Sequence, residues 1–246
     1  MQLPQIILKE KLPLDSFQVS SVDSSLKIEP EFQQKLTQNW KEFVAEAESK
    51  GNSLWDGTYY RLENIDELNQ GKKEFKFSEL KYSTLRGITQ EAIVNSNIFK
   101  QYPIYTCATA GLILTNDNFY VFGSRKDNTM HTQSMDFIGG GLQSDELTLN
   151  SGIDIQSNMF KELKEETNLE SKNIKSIECV GLILSTKTNF IFIFNISLKL
   201  NKEELISIFK TRSDDEMKDL IFVPKEELKG YLSDKGGYRP LVPELL

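Results

Sequence analysis

Three glutamates on one short segment constrain this chain more than any other feature. Between Met159 and Leu169, apolar residues recur at helical spacing, which predicts a helix with one apolar face. Glu162, Glu165 and Glu166 stand at positions i, i+3 and i+4, so a helix brings their carboxylates close together. Like charges at this spacing repel, and a divalent cation converts that repulsion into binding. Grouped carboxylate oxygens favour Mg²⁺ or Mn²⁺ over a soft metal.

The residues upstream favour the metal site over the other interpretation of this stretch, a solvated acidic helix whose charge Lys161 and Lys164 balance. Residues 137 and 138 are apolar and lead into Gly139, Gly140 and Gly141. Glu146 then follows Gly140 after five intervening residues. Glycines of this kind let the backbone approach a ligand without a side-chain clash.

These two stretches together resemble the sequence box of the Nudix hydrolases, G-x5-E-x7-R-E-U-x-E-E-x-G-U, where U is aliphatic. Gly140 and Glu146 fit its first half, and residues 161–169 fit its second half. Lys161 stands where the family has Arg, and Asn168 stands where it has Gly. Asn and Gly both accept the left-handed conformation at a helix C-terminus. Fourteen residues, against seven in the family, separate Glu146 from Lys161, which affects the placement of Glu146 more than that of the helix glutamates.

The first hundred residues are similar to the N-terminal extension of one Nudix branch, the UDP-glucose pyrophosphatases of mammals and plants. The similarity rests on Trp40 with its helix, on segments 54–57 and 60–62, and on segment 81–83. That branch also has a lengthened spacer. The resemblance implies an α+β fold, with a mixed β-sheet held between helices. It further implies an N-terminal α/β extension over residues 1–99 that packs on a Nudix domain over residues 100–246.

The Nudix resemblance also implies metal-dependent hydrolysis of a pyrophosphate bond. Glu162, Glu165, Glu166 and the backbone of Gly140 are the expected ligands of Mg²⁺, with Mn²⁺ as an alternative. Glu165 and Glu166 come first among them, because the alternative role of Glu162 is an ion pair with Lys161 or a neighbour that orients the helix. The general base is either a glutamate of the helix, with Glu166 preferred, or Glu216 in the acidic loop before a predicted strand. Both alternatives stay open from the sequence.

Five residues are candidate contacts to a phosphate or a nucleotide. Arg125 is placed to grip a phosphate, or else it is a charge at a strand end. An aromatic ring stacks on a base and Arg pairs with phosphate, yet residues of the extension also serve as its core and rim. The candidates are Arg125, Gly139, Gly141, Arg61 and Tyr82.

Composition narrows the partners and the compartment. The net charge of −7 and the lack of a basic block argue against nucleic acid or an anionic membrane as a partner. Cys107 and Cys179 lie in apolar, strand-like runs, which predicts buried reduced thiols and a cytoplasmic protein. The start shows no cleavable signal pattern, and the apolar run 190–196 is too short to span a bilayer. A single histidine, His131, disfavours a His-based zinc site or a Ser-His-Asp triad. The sequence does not specify the oligomeric state.

Three functions follow from these features. The preferred one is hydrolysis of a nucleotide sugar, UDP-glucose or UDP-galactose, to UMP and a sugar 1-phosphate. A second is hydrolysis of another substrate such as ADP-ribose or a coenzyme. A third is a catalytically silent Nudix module that binds a nucleotide, which the intact glutamate trio disfavours.

For the last segment, residues 236–246, two prolines predict an extended tail.

Overall fold

The structure is a computed structural model that describes residues 4–12, 18–21, 26–51, 53–63, 65, 74–125, 135–143, 154–185, 188–213 and 217–246. The chain divides into two compact units that interleave along the sequence. The first comprises Met1–Gln18, Cys107–Gly141 and Asp154–Leu246, and the second comprises Val19–Thr106 and Leu142–Ile153. The domain division at residue 99 stays a prediction.

The described segments contain both strands and helices, which confirms the predicted α+β class. The strands are β1 (Gln5–Leu12), β2 (Gln18–Ser21), β3 (Thr58–Leu62), β4 (Glu74–Lys81), β5 (Thr106–Leu114), β6 (Phe119–Arg125), β7 (Met135–Asp136), β8 (Ile174–Leu184), β9 (Asn189–Leu198) and β10 (Met217–Pro224). The α-helices are α1 (Pro30–Ser49), α2 (Tyr82–Val94), α3 (Asn97–Gln101), α4 (Ile155–Thr167), α5 (Lys202–Phe209) and α6 (Leu228–Ser233). Short 3₁₀ helices cover Ser171–Asn173, Lys225–Glu227 and Arg239–Leu245.

The first unit is built on strands that follow the spatial order β1-β8-β9-β5, with β6 pairing β5, β7 and β10. β8 and β9 form an antiparallel pair from Ile174–Leu198 to Leu184–Phe190. Both strands are buried over most of their length, so they read as apolar runs rather than as alternating patterns. The core of the unit includes four fully buried side chains, those of Leu112, Phe122, Ile183 and Ile193.

The second unit packs helices α1 and α2 against one another beside the antiparallel pair β3–β4. α1 begins at Pro30, whose fixed φ suits the first turn of a helix. One face of this helix carries an apolar stripe, in which Leu36 is buried in a cluster with Leu80 and Ile88. The other members of the stripe are half-buried: Phe32, Trp40, Phe43 and Val44. The stripe is therefore part of the core of this unit.

The predicted thiol chemistry is confirmed, because Cys107 and Cys179 are free and buried. Burial raises the pKa of both thiols, that of Cys179 to about 12. Neither sulfur is therefore a ready nucleophile at neutral pH. In the described segments, no helix combines the length and the hydropathy that a bilayer crossing requires.

The predicted extended tail is wrong, because the chain after β10 continues in short helical turns. A 3₁₀ turn follows Pro224, and α6 begins at Leu228. The final residues form the 3₁₀ helix Arg239–Leu245, with a proline at its start and Pro243 inside it. The tail bends back because Val242 and Leu245 are buried in the core of the first unit. Apolar burial here outweighs the extended preference of proline.

Two adjacent leucines test this packing. Leu245 is 7% exposed and Leu246 is 56% exposed. Leu245→Ala should lower the free energy of unfolding by about 2–5 kcal/mol, because it leaves a cavity in the core. Leu246→Ala should change it by less than about 0.5 kcal/mol. Urea denaturation of both variants measures the difference, and equal effects would contradict the docked tail.

Candidate functional site

Helix α4 carries the glutamates and has well-defined ends. Asp154 caps its start, since its carboxylate accepts a hydrogen bond from the backbone N–H of Ser157 at 3.0 Å. Asn168 ends it in the left-handed conformation with φ 59°, and its N–H donates to the carbonyl of Lys164 at 2.9 Å. Asn168 therefore takes the conformation for which the family uses Gly.

The three glutamates differ in their exposure. Glu162 and Glu166 are 8% and 3% exposed, whereas the side chain of Glu165 is 48% exposed. The apolar residues Met159 and Leu163 are both fully buried and anchor the helix on the core. The helix thus holds two carboxylates inward and leaves the third near solvent.

The glycine segment lies directly against these two inward carboxylates. The backbone N–H of Gly139 donates to Oε2 of Glu166 at 2.9 Å. A Cβ atom built on Gly140 would lie only 2.4 Å from Oε1 of Glu162. The two halves of the sequence motif, which are separated by about twenty residues of chain, therefore meet in the structure.

Strand β5 holds the glycine segment in place from its other side. Thr109 N–H donates to the carbonyl of Gly140 at 2.9 Å, and Gly111 N–H donates to the carbonyl of Ile138 at 2.8 Å. Gly139 has a φ of +155°, and a Cβ atom there would lie 2.1 Å from the carbonyl oxygen of Thr109. Only glycine fits this position.

Lys161, which stands where the family has Arg, is the cation beside the carboxylates. Its Nζ lies 3.6 Å from Oε2 of Glu165 and 4.0 Å from Oε1 of Glu162. Among the residues that the structure describes, no three His, Cys, Asp or Glu side chains are grouped closely enough to hold a metal ion. The donor chemistry nevertheless suits a hard cation, because the buried carboxylates of Glu162 and Glu166 lie on one helix face beside the glycine backbone.

Of the other predicted site residues, two have described backbone pairings and two lie outside the described residues. Gly141 forms an isolated antiparallel bridge with Ala108, so it continues the contact of the glycine segment with β5. Arg125 ends β6, where its backbone pairs with Met217. Glu146 and Glu216 lie outside the described residues. Their roles as ligand or base stay predictions.

Arg61 and Tyr82 belong to the second unit and have structural partners there. Arg61 is 5% exposed, forms an ion pair with Glu63, and donates to Ser78 Oγ and to the Pro103 carbonyl, both at 3.3 Å. The Tyr82 ring is half-buried with its centroid 5.8 Å from those of Trp40 and Tyr59. The roles of Arg61 and Tyr82 as contacts to a nucleotide stay predictions.

The sequence motif does not point to Asn158, yet the structure places it in the site. It lies on α4 and is fully buried, and its Nδ2 donates to Thr109 Oγ1 at 2.9 Å. Its position four residues before Glu162, which places both side chains on one helix face, is the signal that identifies it.

The chain resembles solved structures in its fold, but sequence comparisons match it to no family and to no curated protein. The solved structure of Tm1382, assigned provisionally to the Nudix hydrolases, is 14% identical with a TM-score of 0.45, over 82% of this chain and 94% of that one. A Nudix hydrolase from Nitrosomonas europaea is 15% identical with a TM-score of 0.37, over 57% of this chain and 85% of that one.

A third structure is larger than this chain. It is a bifunctional NMN adenylyltransferase/ADP-ribose pyrophosphatase from Francisella tularensis, 15% identical with a TM-score of 0.42, over 91% of this chain and 61% of that one. Similarity at these values does not decide the function.

Two glycines test the geometry of the site. Gly139→Ala should destabilise the protein by about 1–3 kcal/mol, because the new methyl group meets the Thr109 backbone in a strained conformation. Gly230→Ala is the matched control, since Gly230 lies in α6 and a Cβ there meets nothing within 4 Å. That change should be neutral or stabilise by about 0.5–1 kcal/mol. Thermal and urea denaturation check both, and a harmless Gly139→Ala would contradict the close contact with β5.

Proposed function

We propose that this chain is a Nudix hydrolase that cleaves the pyrophosphate bond of a nucleoside diphosphate joined to another group, with the help of a divalent cation. The observation that carries the proposal is the contact of Gly139 and Gly140 with the carboxylates of Glu166 and Glu162. The two halves of the sequence motif, which are predicted to serve one phosphate-and-metal site, are neighbours in the same unit. An acidic helix exposed to solvent would require no such packing.

Glu162 and Glu166 would hold the cation, with Glu165 reaching it from the exposed side and the Gly140 backbone beside it. Mg²⁺ is the expected ion and Mn²⁺ the alternative. When bound, the ion neutralises phosphate oxygens and lowers the pKa of a bound water. Burial of two carboxylates in a medium of low dielectric strengthens their attraction for a cation.

The protein's own residues then position the substrate and move the proton. The glycine backbone keeps the carboxylates of Glu162 and Glu166 close to it, and Lys161 restrains Glu165 from the neighbouring turn. The base that takes the proton of the attacking water is Glu166 or Glu216. Glu216→Gln separates them: a loss of kcat with metal affinity retained assigns the base to Glu216, whereas near-normal kcat assigns it to the helix.

The proposed substrate is a nucleotide sugar, UDP-glucose or UDP-galactose, with UMP and a sugar 1-phosphate as products. Support comes from the similarity of the first hundred residues to the extension of that branch. ADP-ribose or a coenzyme is the second candidate. A silent nucleotide-binding module is disfavoured, because two buried carboxylates lower the stability of the fold. A module that binds no metal ion would gain nothing from them in return.

A substrate panel with identified products tests the function. We expect hydrolysis of UDP-glucose or UDP-galactose in Mg²⁺, faster than that of ADP-ribose and coenzyme A, and complete loss of turnover in excess EDTA. Turnover that persists in EDTA would contradict the metal-dependent mechanism. Faster hydrolysis of ADP-ribose would correct the substrate while leaving the mechanism intact.

Amide substitutions in α4 test the roles of the glutamates. Glu165→Gln and Glu166→Gln should each lower kcat by about 10²-fold or more, roughly 2.7 kcal/mol of transition-state stabilisation. Gln keeps the size and helix propensity of Glu, so the variants should fold. Glu178→Gln is the control, because Glu178 lies on β8 in a surface ion pair with Lys11. Wild-type rates for both helix variants would refute the hydrolase interpretation of α4.

A further inference from the structure

Asn158 is a buried amide on the same face of α4 as Glu162, four residues before it. Its side chain is fully buried, and Nδ2 donates to Thr109 Oγ1 at 2.9 Å and to the Gly140 carbonyl at 3.4 Å. A Cβ atom built on Gly140 would lie only 2.4 Å from Oε1 of Glu162, so this glycine also packs against the Glu162 carboxylate. Asn158 and Glu162 therefore contact the same glycine from successive turns of the helix.

The nitrogen of this amide donates hydrogen bonds, whereas its oxygen accepts none from the described residues. Oδ1 of Asn158 is buried and has no hydrogen-bond partner among the residues that the structure describes. A buried acceptor without a partner costs about 1–3 kcal/mol, and such atoms are rare in folded proteins. The two hydrogen bonds of Nδ2 fix the amide, so Oδ1 is held in place rather than free to turn towards solvent.

A hard cation is the ligand class that satisfies this arrangement. Amide oxygens and carboxylates together are common donors to Mg²⁺, Mn²⁺ and Ca²⁺. A neutral donor also adds an oxygen without adding further repulsion to Glu162 and Glu166. A hydrogen-bond donor alone would satisfy Oδ1 but would carry no charge to attract the carboxylates of Glu162 and Glu166.

We propose that Oδ1 of Asn158 is an additional oxygen donor to the divalent cation of this site, directly or through a bound water. The inference rests on the proposed function, because Glu162 and Glu166 supply the main charge that retains the ion. Thr109 and Gly140 orient the amide through Nδ2, which leaves the oxygen for the cation. Asn158 thereby links the glycine segment, strand β5 and the metal shell.

Binding of Mn²⁺ to the full chain, followed by electron paramagnetic resonance without substrate, tests the proposal. Asn158→Leu keeps the approximate volume and removes both polar atoms, so Mn²⁺ should bind about 10-fold or more weakly. Asn158→Asp keeps an oxygen at the same reach and adds a charge. It should bind Mn²⁺ at least as tightly as the wild type, although the metal-free variant should melt at a lower temperature because three buried carboxylates repel.

Gln156→Glu is the matched control for added charge. It makes the same amide-to-carboxylate change two residues away, on a half-exposed position that faces a different direction. We expect it to change Mn²⁺ affinity by less than about twofold, since the charge is screened by solvent. If Asn158→Leu does not fold, Asn158→Ser replaces it, because Ser also lacks an oxygen at the reach of Oδ1.

The outcomes separate this inference from the function on which it rests. If the wild type binds no Mn²⁺, the proposed function fails first. If the wild type binds Mn²⁺ and hydrolyses its substrate, but Asn158→Leu or Asn158→Ser binds the ion equally well, the role of Asn158 is refuted. Weak binding by Asn158→Asp, matching that of Asn158→Leu, would also refute it, because Asn158 would then act only through the hydrogen bonds of Nδ2.

Discussion

The hydrogen bond from the Gly139 backbone to the Glu166 carboxylate is the interaction on which the site depends. It joins a segment of irregular backbone to a helix, and the neighbouring contact between Gly140 and Glu162 requires the absence of a side chain. Both contacts place negative oxygens next to peptide groups in a region with little solvent. Burial of charged oxygens in such a region is costly unless they are paired or hydrogen-bonded.

The apolar side of α4 gives this arrangement its rigidity. Met159 and Leu163 are fully buried, and a Cβ atom on Gly111 of β5 would lie 3.3 Å from Met159 Cε. The helix can therefore lie close to β5, which in turn binds the glycine segment through Thr109. Because one strand supports both halves of the site, their separation is set by the core and not by a surface loop.

Sequence patterns predicted this helix well, since apolar spacing, Asn168 as a left-handed C-terminal residue and the glycine motif are all local features. The unequal exposure of the three glutamates was not predictable, because residues at i, i+3 and i+4 share a face and only the packing of Gly139 and Gly140 decides which are covered. The tail was predicted wrongly because its prolines favour extension, whereas burial of Val242 and Leu245 depends on distant strands. The role of Asn158 was also not predictable from local sequence, because its partners Thr109 and Gly140 are remote in sequence.

We propose that the glycine segment and the carboxylates of α4 form one site for a divalent cation. Crystals of the protein soaked in a manganese salt, with diffraction recorded at the manganese absorption edge, test it most directly. The account predicts an anomalous difference peak within coordination distance of the Glu162 and Glu166 carboxylates. No peak there at a manganese concentration that supports turnover, or a single peak elsewhere on the chain, would contradict it.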